Sequence, residues 1–154
     1  MADELQGITL KAIGIVRNGI KQPPKQVPFG WEKVVSDIVV DSGLTEALDG
    51  LGKFSHIKVI YWMHQAATTG QLSMKVHPMG KQELPLVGIF ATRSPHRPNP
   101  VGETTVRLLQ CQGNILKVEG LDAIDGTPVI DIKPYVPEFD SAAKATVPQW
   151  IANL

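Results

Sequence analysis

Residues 104–133 read TTVRLLQCQGNILKVEGLDAIDGTPVIDIK, and this stretch decides the fold because it predicts three short β-strands in succession. Apolar and β-branched residues are concentrated at 104–111, 114–119 and 128–133. Asp125-Gly126 separates the last two segments and is a strong turn signal, since glycine adopts positive φ without a steric penalty. The stretch therefore predicts neighbouring strands joined by turns.

The same pattern extends toward the N-terminus. We predict further strands at 9–16, 33–41, 56–65, 71–76 and 86–92. Segment 17–30 is predicted to be a loop, because its prolines exclude both a central strand and a helix interior. Many short strands, one or two short helices and frequent Gly or Pro turns indicate a mainly β fold, a small closed or nearly closed β-barrel.

Two short segments have helical spacing instead. Leu44, Ala47, Leu48 and Leu51 predict a helix after the second strand. The tail over 141–154 carries apolar residues at a similar spacing, so we expect it to be helical and to dock on the barrel or on a second subunit.

Length and composition limit the class of protein. The chain has 154 residues, which is enough for one sizeable core, and we expect a single domain over 1–154. Its 15 basic and 15 acidic residues cancel, which counts mildly against binding a polyanion. No apolar run is long enough for a bilayer, and the start lacks a signal-peptide pattern, so we expect a cytoplasmic protein without membrane association.

The most unusual segment is 88–102, which reads GIFATRSPHRPNPVG. Three prolines fix backbone angles in it, so the loop is expected to be stiff and to present polar groups with little ordering cost. Arg93 and Arg97 carry planar guanidinium groups suited to carboxylate or phosphate. The alternative is that these arginines only tie the loop down through backbone carbonyls.

The run 90–102 resembles the signature of the TsaA-like family, which includes the TrmO tRNA N6-adenosine methyltransferases. Two further blocks occur in the family's order, Met63-His64-Gln65 and LDAIDGTPVIDIKP at 121–134. With Pro24-Lys25-Gln26 in the early loop, the resemblance covers about 8–136.

The resemblance implies a β-barrel methyltransferase that binds S-adenosylmethionine near a homodimer interface. Its implied substrate is tRNA that carries threonylcarbamoyl-adenosine beside the anticodon, and the methyl group is added at N6 of that nucleoside. Whether an accessory protein supplies further RNA contacts is left open. The implied cofactor contacts are Pro24, Lys25, Gln26, His64, Gln65, Arg93, Glu103, Ile124, Asp125, Gly126, Thr127 and Pro128. We assign substrate binding to Arg97, Asn99 and Lys133.

Methyl transfer from a sulfonium to nitrogen requires alignment of the two groups and removal of one proton. Asp125 and Asp131 are the candidate general bases, because each lies beside a turn or strand that would face a cleft. Each also has a structural interpretation. Asp125 would bond its own turn backbone and Asp131 would pair with Lys133, so the base is left unassigned.

Two other functions stay open. A metal-dependent hydrolase would draw on the four histidines, but they lack ligand spacing, and we expect no metal. A noncatalytic RNA-binding β-barrel would stack bases on aromatic residues, but only three Trp, two Tyr and four Phe are present. A Rossmann methyltransferase is disfavoured because Gly50-Leu51-Gly52 follows a predicted helix instead of opening one.

Overall fold

The computed structural model describes residues 3–25, 30–66 and 71–154. The strands in these ranges are β1 (Gly14–Arg17), β2 (Val35–Val40), β3 (His56–Trp62), β4 (Lys75–Val76), β5 (Val87–Gly88), β6 (Val101–Gln112), β7 (Ile115–Glu119) and β8 (Pro128–Pro134). The α-helices are α1 (Pro137–Asp140) and α2 (Gln149–Ala152). Short 3-10 helices occur at Ser42–Leu48, Leu51–Lys53, Pro78–Gly80 and Ile89–Ala91.

Six strands close into an antiparallel barrel in the order β1-β2-β7-β6-β3-β8. β3 is paired along both edges, since it meets β6 from His56↔Arg107 to Trp62↔Val101 and β8 on its other side. The ring closes where β1 meets β8. β4 and β5 form a separate two-stranded sheet. The predicted mainly β fold with a closed barrel is confirmed.

The core lies inside the barrel because apolar residues alternate along its strands. In β3 the residues Ile57, Val59 and Tyr61 are buried, whereas their neighbours are partly or fully exposed. The same alternation fills the interior from the other strands with Val16, Ile38, Val40, Val106, Leu116, Val118 and Val129. Removing this apolar surface from water drives the closure of the barrel.

Three predicted strands, β1, β4 and β5, have at most half of their predicted length in the structure. β1 begins at Gly14 instead of residue 9, and Ile8 and Leu10 before it are exposed. β4 and β5 have two residues each, and the chain turns into a 3-10 helix at Ile89. The reason is that a β-strand extends only as far as a neighbouring strand pairs with it. The apolar pattern of a sequence indicates which residues are buried, but not where such a neighbour lies.

The predicted helices also differ. The helix after β2 is 3-10 over Ser42–Leu48, and the Asp41 side chain caps it by accepting from the Gly43 amide at 3.0 Å. In the tail only α2 forms, with Val147 and Ile151 exposed. Among the described residues, every helix is too short or too polar to cross a bilayer.

Candidate functional site

A cleft of about 1370 Å³ is lined by β3, β6, segment 88–102 with its three prolines (the proline-rich segment) and the turn region before β8. It is larger than the roughly 300–1,000 Å³ that typically encloses one small ligand. It therefore has room for more than one small ligand.

Backbone hydrogen bonds bring the motif blocks together around this cleft. The Met63 amide donates to the Pro100 carbonyl at 2.7 Å, which places the end of β3 beside the proline-rich segment. The Gly126 amide donates to the Val16 carbonyl at 2.8 Å, so the turn before β8 lies against β1. Residues far apart in the chain thus share one wall because the barrel closes.

Many of the predicted site residues line the cleft. They are His64, Gln65, Arg93, Arg97, Asn99, Glu103, Ile124 and Thr127. The described residues Pro24, Lys25, Asp125, Gly126, Pro128, Asp131 and Lys133 do not line it. Gln26 lies outside the described residues. The ligand roles of all of these residues stay predictions.

Both arginines of the proline-rich segment hold its backbone. Arg93 Nη2 donates to the Glu103 carbonyl at 2.9 Å. Arg97 Nη1 donates to the carbonyls of Thr92 and Ser94 at 3.0 and 3.2 Å. A guanidinium has five N–H donors, and these bonds use only a few of them. The arginines therefore stiffen the loop and still present donors to the cleft.

Phe90 forms an exposed aromatic surface at the cleft. Its side chain is 77% exposed, whereas Ile89 beside it is buried and anchors the 3-10 turn. The Arg97 guanidinium carbon lies 6.0 Å from the centroid of the ring, within the range of a cation–π contact. A flat ring held in this way is suited to stacking against a planar ligand.

A polar cluster of Tyr61, Thr104 and Asp122 lies in the same wall, and the sequence analysis missed it. The hydroxyl of Tyr61 donates to Asp122 Oδ1 at 2.8 Å, and the Thr104 hydroxyl donates to the same oxygen. Burial raises the pKa of Tyr61 well above its usual value, so the phenol stays protonated at neutral pH. The available signal was the inward position of a tyrosine in β3.

Glu103 in β6 forms an ion pair with Lys58 in the neighbouring strand β3. Its carboxylate lies 2.5 Å from Lys58 Nζ, and Asp140 lies 3.8 Å from the same nitrogen. The hydrogen bond that Lys58 donates to Glu103 raises the pKa of Lys58, so the ammonium stays charged. This pair keeps the Glu103 charge balanced within the cleft.

His64 leaves a polar atom unsatisfied. Its Nδ1 is buried and has no hydrogen-bond partner among the described residues, and the ring lines the cleft. Buried polar atoms of this kind usually find a partner in a folded protein. A ligand in the cleft would supply that partner.

Both predicted candidate bases form other contacts. Asp125 Oδ1 accepts from the amides of Asn18 and Gly19 at 2.9 and 3.1 Å, and these bonds lower the pKa of Asp125. Asp131 Oδ2 lies 3.1 Å from Lys133 Nζ, in the pairing that the structural interpretation predicts, and Asp131 lines a separate cavity of about 380 Å³. Within the parts of the chain that the structure describes, no three His, Cys, Asp or Glu residues are grouped to hold a metal ion.

Comparison of the sequence with known families and proteins gives consistent matches. Residues 18–141 match the tRNA-methyltransferase O N-terminal domain. A probable S-adenosyl-L-methionine-binding protein of Methanothermobacter thermautotrophicus is 46% identical over 137 residues, covering 87% of this chain and 94% of that protein. The human tRNA (adenine(37)-N6)-methyltransferase is 40% identical over 113 residues, covering 70% of this chain and 24% of the human protein.

Solved structures agree with these matches. Two crystal structures of TrmO from Pseudomonas aeruginosa superimpose with TM-scores of 0.75 and 0.71, at 32% and 34% sequence identity. They cover 99% and 93% of this chain, which spans 65% and 62% of the crystallised chains. The first of these matches therefore takes in nearly all of this chain.

Proposed function

Because the chain belongs to the tRNA-methyltransferase O N-terminal domain family, we propose that it transfers a methyl group from S-adenosylmethionine to N6 of an adenosine in tRNA. The acceptor is threonylcarbamoyl-adenosine at position 37, next to the anticodon. One observation carries this proposal: a cleft of about 1370 Å³ combines arginine donors, an exposed aromatic ring and a buried histidine nitrogen that has no partner in the described part of the chain.

The residues of the cleft fit the cofactor. S-adenosylmethionine, when bound, supplies an electrophilic methyl group on a sulfonium. His64, whose Nδ1 has no partner among the described residues, would bond a polar group of the ribose or of the amino-acid part. Arg93 is fixed by the Glu103 carbonyl and would pair with the cofactor's carboxylate. Gln65 lines the same wall and would add a neutral hydrogen bond.

The proline-rich segment fits the acceptor. Phe90 offers a ring that is open to the cleft on the face of a stiff turn, which suits stacking of an adenine base. Arg97 lies against this ring and has donors left for the carboxylate of the threonyl group or for a phosphate. Asn99 lines the cleft beside it and would bond the carbamoyl oxygen.

The enzyme is further proposed to act in the cytoplasm as a homodimer, with an accessory protein as an additional source of RNA contacts. Leu5, Ile8 and Leu10 precede β1 and are largely exposed, which supports an apolar interface with a second copy. The net charge of zero gives the chain little long-range attraction for a polyanion, so an accessory protein would add the RNA contacts that this attraction does not supply.

The test uses the purified chain with S-adenosylmethionine and two forms of one tRNA, with and without the threonylcarbamoyl group. Calorimetry measures cofactor binding, and mass spectrometry of digested nucleosides measures N6 methylation. We expect binding of the cofactor and methylation of the modified form only. Methylation of both forms would remove the threonylcarbamoyl requirement, and no binding of the cofactor would overturn the whole proposal.

The same assay separates the second candidate function. A noncatalytic RNA-binding barrel would bind tRNA equally well and transfer no methyl group at any concentration of S-adenosylmethionine. A strain that lacks the gene provides an independent measurement, because its tRNA should lose the N6-methyl form of threonylcarbamoyl-adenosine.

A further inference from the structure

Two carboxylates line the cleft among the described residues, and they differ in their surroundings. Glu103 is paired with the Lys58 ammonium at 2.5 Å. Asp122 forms no ion pair with any residue that the structure describes. Its hydrogen bonds come from two neutral hydroxyl groups, those of Tyr61 and Thr104. Asp122 therefore brings a carboxylate without an ion-pair partner among the described residues to the wall of the cleft.

The two hydroxyls fix the orientation of this carboxylate. Both donate to Oδ1, which leaves Oδ2 without a protein partner in the described ranges. Tyr61 cannot move easily, because only 4% of it is exposed and its ring packs over Gly102 on the neighbouring strand. Thr104 extends from β6 beside it. One oxygen is thus held from two strands while the other is available to a ligand.

We propose that Asp122 is the general base of the methyl transfer, and this assignment rests on the function proposed above. The Asp122 carboxylate accepts the N6 proton at Oδ2 as the N6–methyl bond forms and the sulfonium–methyl bond breaks, with that electron pair staying on sulfur. Asp122 then releases the proton to solvent, since it lies on the exposed side of the wall. A carboxylate positioned in this way removes a proton without reorganising during the step.

Other groups of the site are less suited to this role. Tyr61 stays protonated and serves as a donor, so it positions Asp122 instead of taking a proton. The carboxylate of Asp125 is occupied by two backbone amides outside the cleft wall. Asp131 is paired with Lys133 beside the second cavity. Among the described carboxylates, Asp122 alone lines the cleft and forms no ion pair with a described residue.

The test is single-turnover methylation by Asp122→Asn with saturating S-adenosylmethionine and threonylcarbamoylated tRNA. Asparagine keeps the size of the side chain and removes the basic oxygen pair. We expect the rate of methyl transfer to fall at least about 100-fold, the lower end of the usual contribution of a general base. Calorimetry with S-adenosylmethionine and a tRNA-binding titration should both match the unaltered protein, and so should the circular dichroism spectrum.

Asp37→Asn is the matched control, because Asp37 pairs with Lys117 on the β2–β7 surface away from the cleft. It should methylate at the unaltered rate. Thr104→Val and Tyr61→Phe each remove one hydroxyl from Oδ1, and we expect smaller losses in rate with unchanged binding constants. These variants test the positioning role without removing the carboxylate.

Two results would overturn the assignment. One is a normal rate in Asp122→Asn, and the other is a loss of rate that is fully accounted for by weaker S-adenosylmethionine binding, which would make Asp122 a cofactor ligand. No methylation by the unaltered protein would overturn the proposed function itself. That failure is therefore distinguishable from a failure of the base assignment alone.

Discussion

Gly102 leaves the space that the Tyr61 ring occupies. A Cβ at this position would lie within 2.5 Å of the Tyr61 ring carbon Cζ, because the two residues face each other in the β3–β6 register. We predict that Gly102→Ala lowers the free energy of unfolding by about 1–3 kcal/mol, the usual cost of overpacking. It should also displace Tyr61 from Asp122 and slow methylation. Urea denaturation and the tRNA assay measure the two effects.

Gly88→Ala is the matched control for this substitution. Gly88 has ordinary φ of −61°, and a Cβ there meets no atom within 4 Å. Its free energy of unfolding should be unchanged or raised by up to about 1 kcal/mol, because alanine restricts the unfolded chain. Equal stability of the Gly102 and Gly88 variants would contradict the close approach of Tyr61.

Phe90 is predicted to stack on the acceptor base. Phe90→Ala should weaken tRNA binding by about 1–3 kcal/mol, the usual value for one base stacked on an aromatic ring. Phe90→Trp should retain binding, because it keeps a flat surface. Phe139 has a similar exposure of 84% and does not line the cleft, so Phe139→Ala is the control. A filter-binding titration decides, and an unchanged Kd in Phe90→Ala would exclude stacking.

At the scale of elements, one side chain connects the loop after β1 to the turn before β8. Asp125 accepts from the amides of Asn18 and Gly19, and these bonds lower its pKa. A depressed folded-state pKa stabilises the fold above the unfolded value of about 3.9, and this stability is lost as pH falls through the folded value. Asp125→Asn should therefore be less stable at pH 7, with the difference vanishing in acid.

Urea midpoints at neutral pH and at about pH 2 measure this effect. Asp37→Asn is again the comparison, since Asp37 takes part in a partly exposed surface pair with Lys117, and such pairs contribute little. A constant difference between Asp125→Asn and the unaltered protein at both pH values would show that the charge of Asp125 has no part in holding the loop.

The elements were predictable to different degrees for a physical reason. The sequence predicted five strands to within a few residues, because apolar residues recur in these segments where the side chains are buried. These strands are β2, β3, β6, β7 and β8. β1 was predicted too long, since Leu10 is apolar but lies before Gly14, where the strand begins. Strand length depends on the partner edge, which a single segment does not encode.

The site shows the same division. The proline-rich segment was evident from the sequence, and its arginines line the cleft. Tyr61, Thr104 and Asp122 were missed because their contact depends on the β3–β6 register and on the path of the chain after β7. Asp125 and Asp131 were predicted as candidate bases because each lies beside a turn or a strand in the sequence. The local sequence pattern was sufficient to find the proline-rich segment. It was not sufficient to predict contacts between residues that are far apart in the chain.

For the whole molecule, closure of the barrel is the step that forms the cleft. Most strand pairs share five or more residues, as in β2–β7 and β3–β6. The β1–β8 seam has only Gly14↔Val129 and Ile15↔Pro128, and Pro128 has no amide to donate. Three backbone bonds extend it: from Ile13 to the Val129 carbonyl at 2.8 Å, from Val16 to the Thr127 carbonyl at 2.9 Å and from Gly126 to the Val16 carbonyl at 2.8 Å. The seam is therefore the weakest join of the ring.

This asymmetry predicts local opening at the seam. The amides of Ile13 and Val16 should exchange with deuterium at least about tenfold faster than those of β3, a difference of ~1.4 kcal/mol in opening free energy. The reason is that separating β1 from β8 breaks few bonds, whereas freeing β3 breaks its pairing with both β6 and β8. Native-state hydrogen exchange by NMR measures both sets in one sample. Equal protection would mean that the barrel opens only by global unfolding, and the cleft would then be as rigid as the core.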